Sequence, residues 1–184
     1  MDHDATPELV AQVRAATAAG TPLRIAGGDS KRFYGRPVAG ELLSLRSHVG
    51  ILRHDPAELV LTARGGTPLA AVEVQLAGSG QRLPFEPPHF GAQATLGGTV
   101  AAGLAGPARM WAGPLRDFVL GAQVLTGDGR VLRFGGEVMK NVAGYDVARL
   151  MAGSLGILGV LLDVSLKVLP QPAGERTLTF EVNE

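Results

Sequence analysis

Apolar positions along the chain switch between two spacings. Behind Thr6-Pro7-Glu8, residues Leu9, Val10, Val13 and Thr17 fall on one helical face, and Gly20 follows them. A hydroxyl, a proline in the first turn and an acid over the positive dipole end open a helix, and a glycine closes one. Thr67-Pro68 repeats the opening signal, with a helix over Leu69 to Ala77 ended by Gly78 and Gly80. Short runs read as strands: Leu23 to Ala26, Glu41 to Leu45, Gly50 to His54, and Leu59 to Ala63. Phe118 to Leu125 and Arg130 to Phe134 are joined by Thr126-Gly127-Asp128-Gly129, a hairpin signal. A polar loop, Met139 to Asp146, precedes a short helix, Asp146 to Met151. Gly153 to Gly159 leads into a long strand running through Leu169, and Arg176 to Val182 predicts one more. Hairpins outnumber regular βαβ units, so the fold class is α+β. Pro84, Pro87 and Pro88 break the chain, predicting one lobe over about 1–82 and a second over about 83–184.

Composition alters this picture mainly through glycine. There are 26 glycines in 184 residues, about twice the average share of roughly 7%. They form no repeat, so they point to tight turns and close backbone approaches. The formal net charge is zero and no basic stripe exists, which argues against nucleic acid. With no cysteine there is no disulfide, thiolate metal site, cysteine nucleophile or cysteinyl cofactor link. The start, MDHDATPELV, lacks the apolar stretch of a signal peptide, and no apolar run reaches membrane-span length. The expected location is the cytoplasm.

Three glycine loops, at 27–31, 95–103 and 153–159, suit a pyrophosphate. Two negative charges need backbone N–H groups aimed at them, and glycine lets the chain turn them inward. Neither G-x-x-x-x-G-K-[ST] nor a strand-to-helix G-x-G-x-x-G is present. Gly153-Ser154-Leu155-Gly156 is close to a nucleophile elbow, but its strand follows it, and all four histidines, His3, His48, His54 and His89, precede Ser154. A hydrolase is therefore not expected. The histidines have no ligand spacing, so no metal site is expected. Lys31, Arg109, Arg116 and Lys140 lie in or beside glycine segments and are candidate phosphate partners, with solvated charge as the alternative. The pairs Arg116-Asp117 and Tyr145-Asp146 can hydrogen-bond polar ring edges or cap helices, and Trp111 reads as core or interface filling.

Four segments in order carry a resemblance: PLRIAGGDSK (Pro22 to Lys31), ATLGGTVAAGLAGP (Ala94 to Pro107), GPLRDFVLGAQVLTGDGRVL (Gly113 to Leu132) and GYDVARLMAGSLGILGVLLDVSLKVLP (Gly144 to Pro170). They resemble the vanillyl-alcohol oxidase and p-cresol methylhydroxylase family of flavoproteins, and within it the glycolate oxidase flavin subunits, for which MKNVAGYDVARLMAGSLG is the most diagnostic string.

The resemblance implies an α+β FAD-binding domain of two lobes with FAD between them. It implies that Ala26, Gly27, Gly28, Asp29, Ser30 and Lys31 hold the pyrophosphate. Thr95, Leu96, Gly97, Gly98, Ala101 and Gly103 would lie along the pyrophosphate and flavin. Gly113, Arg116, Asp117, Val119, Tyr145, Gly153, Gly156, Ile157 and Val160 would close around the ribityl, flavin and adenine parts. The first loop has no histidine and the chain no cysteine, so the FAD is expected to be non-covalent. The family's C-terminal cap domain is expected to be absent, and no catalytic residue is nominated. The implied activity is oxidation of glycolate, a 2-hydroxy acid, with the flavin accepting hydride and electrons passing to partner subunits. Those partners would be a second flavoprotein and an iron–sulfur subunit, with peripheral attachment to the inner membrane through them left open. The alternatives are a non-catalytic FAD-binding or scaffold subunit, and the FAD domain of a D-lactate or alditol oxidase.

Overall fold

The structure is a computed structural model that describes residues 2–136 and 144–180. Its centre is a five-stranded antiparallel sheet built from β3 (Ile51–Asp55), β4 (Val60–Arg64), β6 (Val119–Leu125), β7 (Val131–Gly135) and β8 (Val160–Lys167). The order across the sheet is β3-β4-β8-β6-β7. β8 pairs with β4 on one side, Leu61 opposite Leu166, and with β6 on the other, Ala122 opposite Val164. A strand flanked on both sides and covered on both faces must be apolar nearly throughout, and six of the eight β8 residues are buried. The sheet draws strands from both sides of residue 82.

Two apolar clusters cover the sheet. One gathers Leu161, Val164 and Leu166 of β8 with Leu69, Val72 and Leu76 of α2 (Leu69–Ala77) and Leu96 and Val100 of α3 (Leu96–Ala102). The other gathers Val160 and Leu162 with Leu9 and Val13 of α1 (Thr6–Ala19) and with Leu43 of β2 (Glu41–Ser44). β2 runs parallel to β1 (Leu23–Ala26), from Leu23 opposite Glu41 to Ala26 opposite Ser44. A small third sheet joins β5 (Gln81–Arg82) to β9 (Leu169–Pro170). Two short helices, α4 (Arg109–Ala112) and α5 (Val147–Leu150), complete the fold.

Helix starts differ in detail from the sequence expectation. Thr6 does not cap α1; its own N–H donates to the Asp4 carboxylate at 2.9 Å. Thr67 does not cap α2 either. Its hydroxyl is buried and exchanges hydrogen bonds with Gly50 N and O, at 3.0 and 3.1 Å, which ties β3 to the helix start. At Thr67 a tertiary partner outcompetes the local one, whereas at Thr6 the nearby Asp4 carboxylate takes the helix-start amide. Gly20 closes α1 in the left-handed region as expected, and Thr21 N donates to Ala16 O. The Thr126–Gly129 turn forms, with Gly129 at φ +77°. The expected strand over Arg176 to Val182 does not: Arg176 to Phe180 form no strand and are exposed, because no edge pairs with them. Residues 181 and 182, and most of the expected loop Met139 to Asp146 with Lys140, lie outside the described residues.

Candidate cofactor-binding site

β1 ends at the buried Ala26, whose carbonyl accepts from Leu45 N at 2.9 Å. The chain then turns through Gly27 to Lys31. Asp29 sits at φ +60°, a left-handed conformation costly for a side-chain-bearing residue. Arg24 pins it there, its Nη1 donating to both Asp29 carboxylate oxygens at 3.2 Å. No N–H group from Gly27 to Lys31 donates to an acceptor among the described residues. Successive free amides around a left-handed residue form a concavity suited to an anion. Ser30 is half-buried beside them. Lys31 Nζ donates to His89 O at 3.3 Å, and burial lowers the pKa of its ammonium.

The second loop abuts the first. Thr95 caps α3, its Oγ1 accepting from Gly98 N at 3.3 Å. A Cβ on Gly27 would lie 2.2 Å from that same oxygen, and one on Gly28 only 1.4 Å from Gln93 O. The amides at the start of α3 are already engaged: Leu96 N donates to Thr67 O at 2.9 Å and Gly97 N to Gly65 O at 2.8 Å. This helix start therefore offers little to a phosphate, and the free amides lie in the first loop. Gly97 is buried against Gly65, with a built Cβ 2.9 Å from its carbonyl oxygen, whereas Gly98 is exposed.

The third loop packs on the far end of α3. Gly103, at φ +66°, closes the helix, and a Cβ there would stand 2.9 Å from Gly153 Cα. Gly153 N donates to Val100 O at 3.0 Å and Leu155 N to Ala101 O at 2.9 Å. Gly156, at φ +83°, rests against Ile25 of β1. The three glycine loops expected from sequence are thus one cluster. Ile157, 84% exposed, stands on its rim. A cavity of about 250 Å³, lined by Leu23, Ile25, Leu43, Ile157, Leu158 and Val160 among others, opens beside it. A larger cavity of about 430 Å³, lined by Glu73, Arg82, Glu86 and His89, lies at α2 and β5 and adjoins the first glycine loop through the Lys31–His89 contact.

Other expected site residues stand apart from this cluster. The side chains of Leu96 and Val119 are buried in the core, so only their backbone is available to a ligand, while Val160, also buried, lines the smaller cavity. Gly113, at φ +103°, with exposed Arg116 and Asp117, belongs to the turn before β6 and shares no hydrogen bond with the three loops. Tyr145 is 95% exposed. Arg109 is exposed on α4, and the solitary tryptophan, Trp111, is 83% exposed rather than core filling. Among the described residues no group of histidines and acids is arranged for a metal.

Sequence reasoning missed Arg46 and Gln93. Arg46 Nε donates to Gly27 O at 3.3 Å, and its Nη2 donates to Gly28 O at 3.3 Å and to Gln93 Oε1 at 2.5 Å. No local pattern marks either residue. Gly65-Gly66 was also missed, although a double glycine after a strand is the same signal that singled out Gly27-Gly28. Built Cβ atoms there would meet Leu161 O at 2.2 Å and Leu45 O at 1.8 Å.

The free amides, the clustered glycines and the neighbouring cavity fit a dinucleotide with a pyrophosphate. A family model described as an FAD binding domain matches residues 4–135. The glycolate oxidase subunit GlcE of Escherichia coli (strain K12) is 57% identical over 180 residues, covering 98% of this chain and 51% of that protein. The glycolate oxidase subunit GlcD of Bacillus subtilis (strain 168) is 32% identical over 143 residues, covering 77% of this chain and 30% of that protein. The chain thus spans about half the length, or less, of these relatives. A solved structure of alkyldihydroxyacetonephosphate synthase superposes with a TM-score of 0.72 over 91% of this chain and 31% of that one, at 22% identity, a likeness of fold. With its fold, its glycine loops and the family match in agreement, the chain belongs to the FAD binding domain family.

Proposed function

We propose that this chain is the FAD-holding module of a glycolate, or 2-hydroxy acid, oxidase or dehydrogenase. The observation that carries the reading is the run of unengaged amides from Gly27 to Lys31, packed against Thr95 and Gln93. Similarity to GlcE supplies the substrate class. The cofactor would lie where the 27–31 loop of the first lobe, about 1–82, meets the 95–103 and 153–157 loops of the second, about 83–184. The first loop holds the pyrophosphate, Lys31 adds a partly dried cation, and the cavity beside Ile25 and Val160 receives the adenine end. Gly113 to Asp117 and Tyr145 face the flavin end. When bound, the flavin supplies hydride acceptance. The chain's own part is to bind the cofactor, fix its orientation and exclude water from its pyrophosphate. Partner subunits, a second flavoprotein and an iron–sulfur protein, receive the electrons, and any membrane attachment runs through them. No helix among the described residues is long and apolar enough to cross a membrane.

The purified protein is expected to be yellow and to release all its flavin, as FAD, on heat or acid denaturation. Colourless protein that does not take up added FAD refutes the reading, and flavin that stays attached after denaturation overturns the non-covalent part. Assembled with partner subunits, it is expected to bleach under anaerobic glycolate. FAD retention without bleaching favours a non-catalytic FAD-binding subunit.

A further inference from the structure

An anion site made of backbone amides works only if the peptide planes are turned the right way. A peptide's N–H and C=O point in opposite directions, so holding the carbonyls on one side aims the amides at the other. In the first loop one side chain holds two successive carbonyls. Arg46, just past β2, donates from Nε to Gly27 O and from Nη2 to Gly28 O, both at 3.3 Å. Its Nη2 is anchored in turn by Gln93 Oε1 at 2.5 Å, on the segment whose backbone packs against Gly28. The planar fork of guanidinium suits this, because it offers several donors in fixed directions, which an ammonium does not. Arg24 completes the frame through Asp29.

We propose that Arg46 is a positioning residue for dinucleotide binding: it orients the Gly27 and Gly28 peptides so that the amides of the loop face the pyrophosphate, with Gln93 as its anchor. The proposal rests on the reading that this loop holds the FAD pyrophosphate. It predicts that the geometry of the fork matters and not only its positive charge. It also predicts that the loss falls on ligands carrying the pyrophosphate.

The test measures binding of FAD and of riboflavin to flavin-free full-length protein by fluorescence titration, for wild type, Arg46→Met, Arg46→Lys and Gln93→Met. Both Arg46 variants are expected to weaken FAD binding tenfold or more, Gln93→Met by a smaller factor, and all to leave riboflavin binding within twofold. Arg46→Lys binding FAD as wild type does would show that charge alone acts and overturn the proposal. Equal losses for FAD and riboflavin would show a general structural defect and overturn it as well. Should Arg46→Met fail to fold, Arg46→Lys and Gln93→Met carry the test. Failure of the underlying reading is distinguishable, because then wild type itself would bind FAD no better than riboflavin.

Discussion

Replacing Gly28 with alanine separates two reasons for a glycine. The new Cβ would start 1.4 Å from Gln93 O and 2.4 Å from Gln93 C. An ordinary carbon–oxygen contact is about 3.3 Å, so one of the two segments must retreat by roughly 2 Å. That movement breaks the Arg46 bonds to Gly28 O and Gln93 Oε1. Hydrogen bonds to charged groups contribute about 1.5–3 kcal/mol each, and Arg46 is exposed, so the low end applies. The expected cost is about 3 kcal/mol, or roughly 6–12 °C in Tm for a chain of this size. Gly98→Ala is the control. Gly98 is exposed in α3, and its nearest neighbour would be Thr95 Oγ1 at 3.1 Å. Helix propensity contributes about 1 kcal/mol in favour of alanine, and the crowded hydroxyl offsets part of it. The Tm of flavin-free Gly98→Ala should stay within about 2 °C of wild type while its FAD binding falls. The assay is thermal melting of flavin-free protein beside FAD titration. A flavin-free Gly28→Ala protein that melts like wild type would refute the reasoning. Loss of FAD in Gly28→Ala does not by itself show a ligand contact, since the loop is displaced before any ligand arrives.

Asp4 accepts the Thr6 N–H at the start of α1, and its hydrogen bonds to Thr6, with His48 nearby, hold its carboxyl pKa below the usual value of 3.8. A carboxyl lowered in the folded state stabilises it above the unfolded pKa and loses that contribution as pH falls through the folded pKa. Asp4→Asn should therefore lower Tm at neutral pH, with the gap to wild type closing below about pH 3.8; a gap that stays constant into acid would contradict this. Trp111, 83% exposed on α4, should emit as a water-exposed indole in the isolated chain, and a blue-shifted spectrum would overturn its placement.

Element identity was largely legible because the apolar spacing is local information. The α1 face, the β8 run and the Thr126–Gly129 turn follow from residues within a few positions of one another. The glycine loops were legible as places of close approach, but not what approaches. At Gly27, Gly28, Gly97 and Gly103 the near neighbour is the protein's own chain, from Thr95, Gln93, Gly65 and Gly153. Sequence can show that a side chain is unwelcome; it cannot show whether a ligand or another backbone excludes it. For the same reason the amides of α3, which read as a phosphate cradle, are engaged by Thr67 and Gly65.

The sequence by itself determined the α+β class, the kinds of element and the three loops in which chain folds closely on chain. Its motif order narrowed the ligand to FAD through family resemblance. Only the tertiary structure decided which loop keeps its amides free of other described residues, and that Arg46, held by the distant Gln93, grips its Gly27 and Gly28 carbonyls. It alone left Arg176 to Phe180 without a partner strand despite a strand-like pattern. The physical reason is common to these cases. Hydrogen-bond satisfaction and steric exclusion are settled by whichever group arrives at contact distance, and that group is usually remote in sequence.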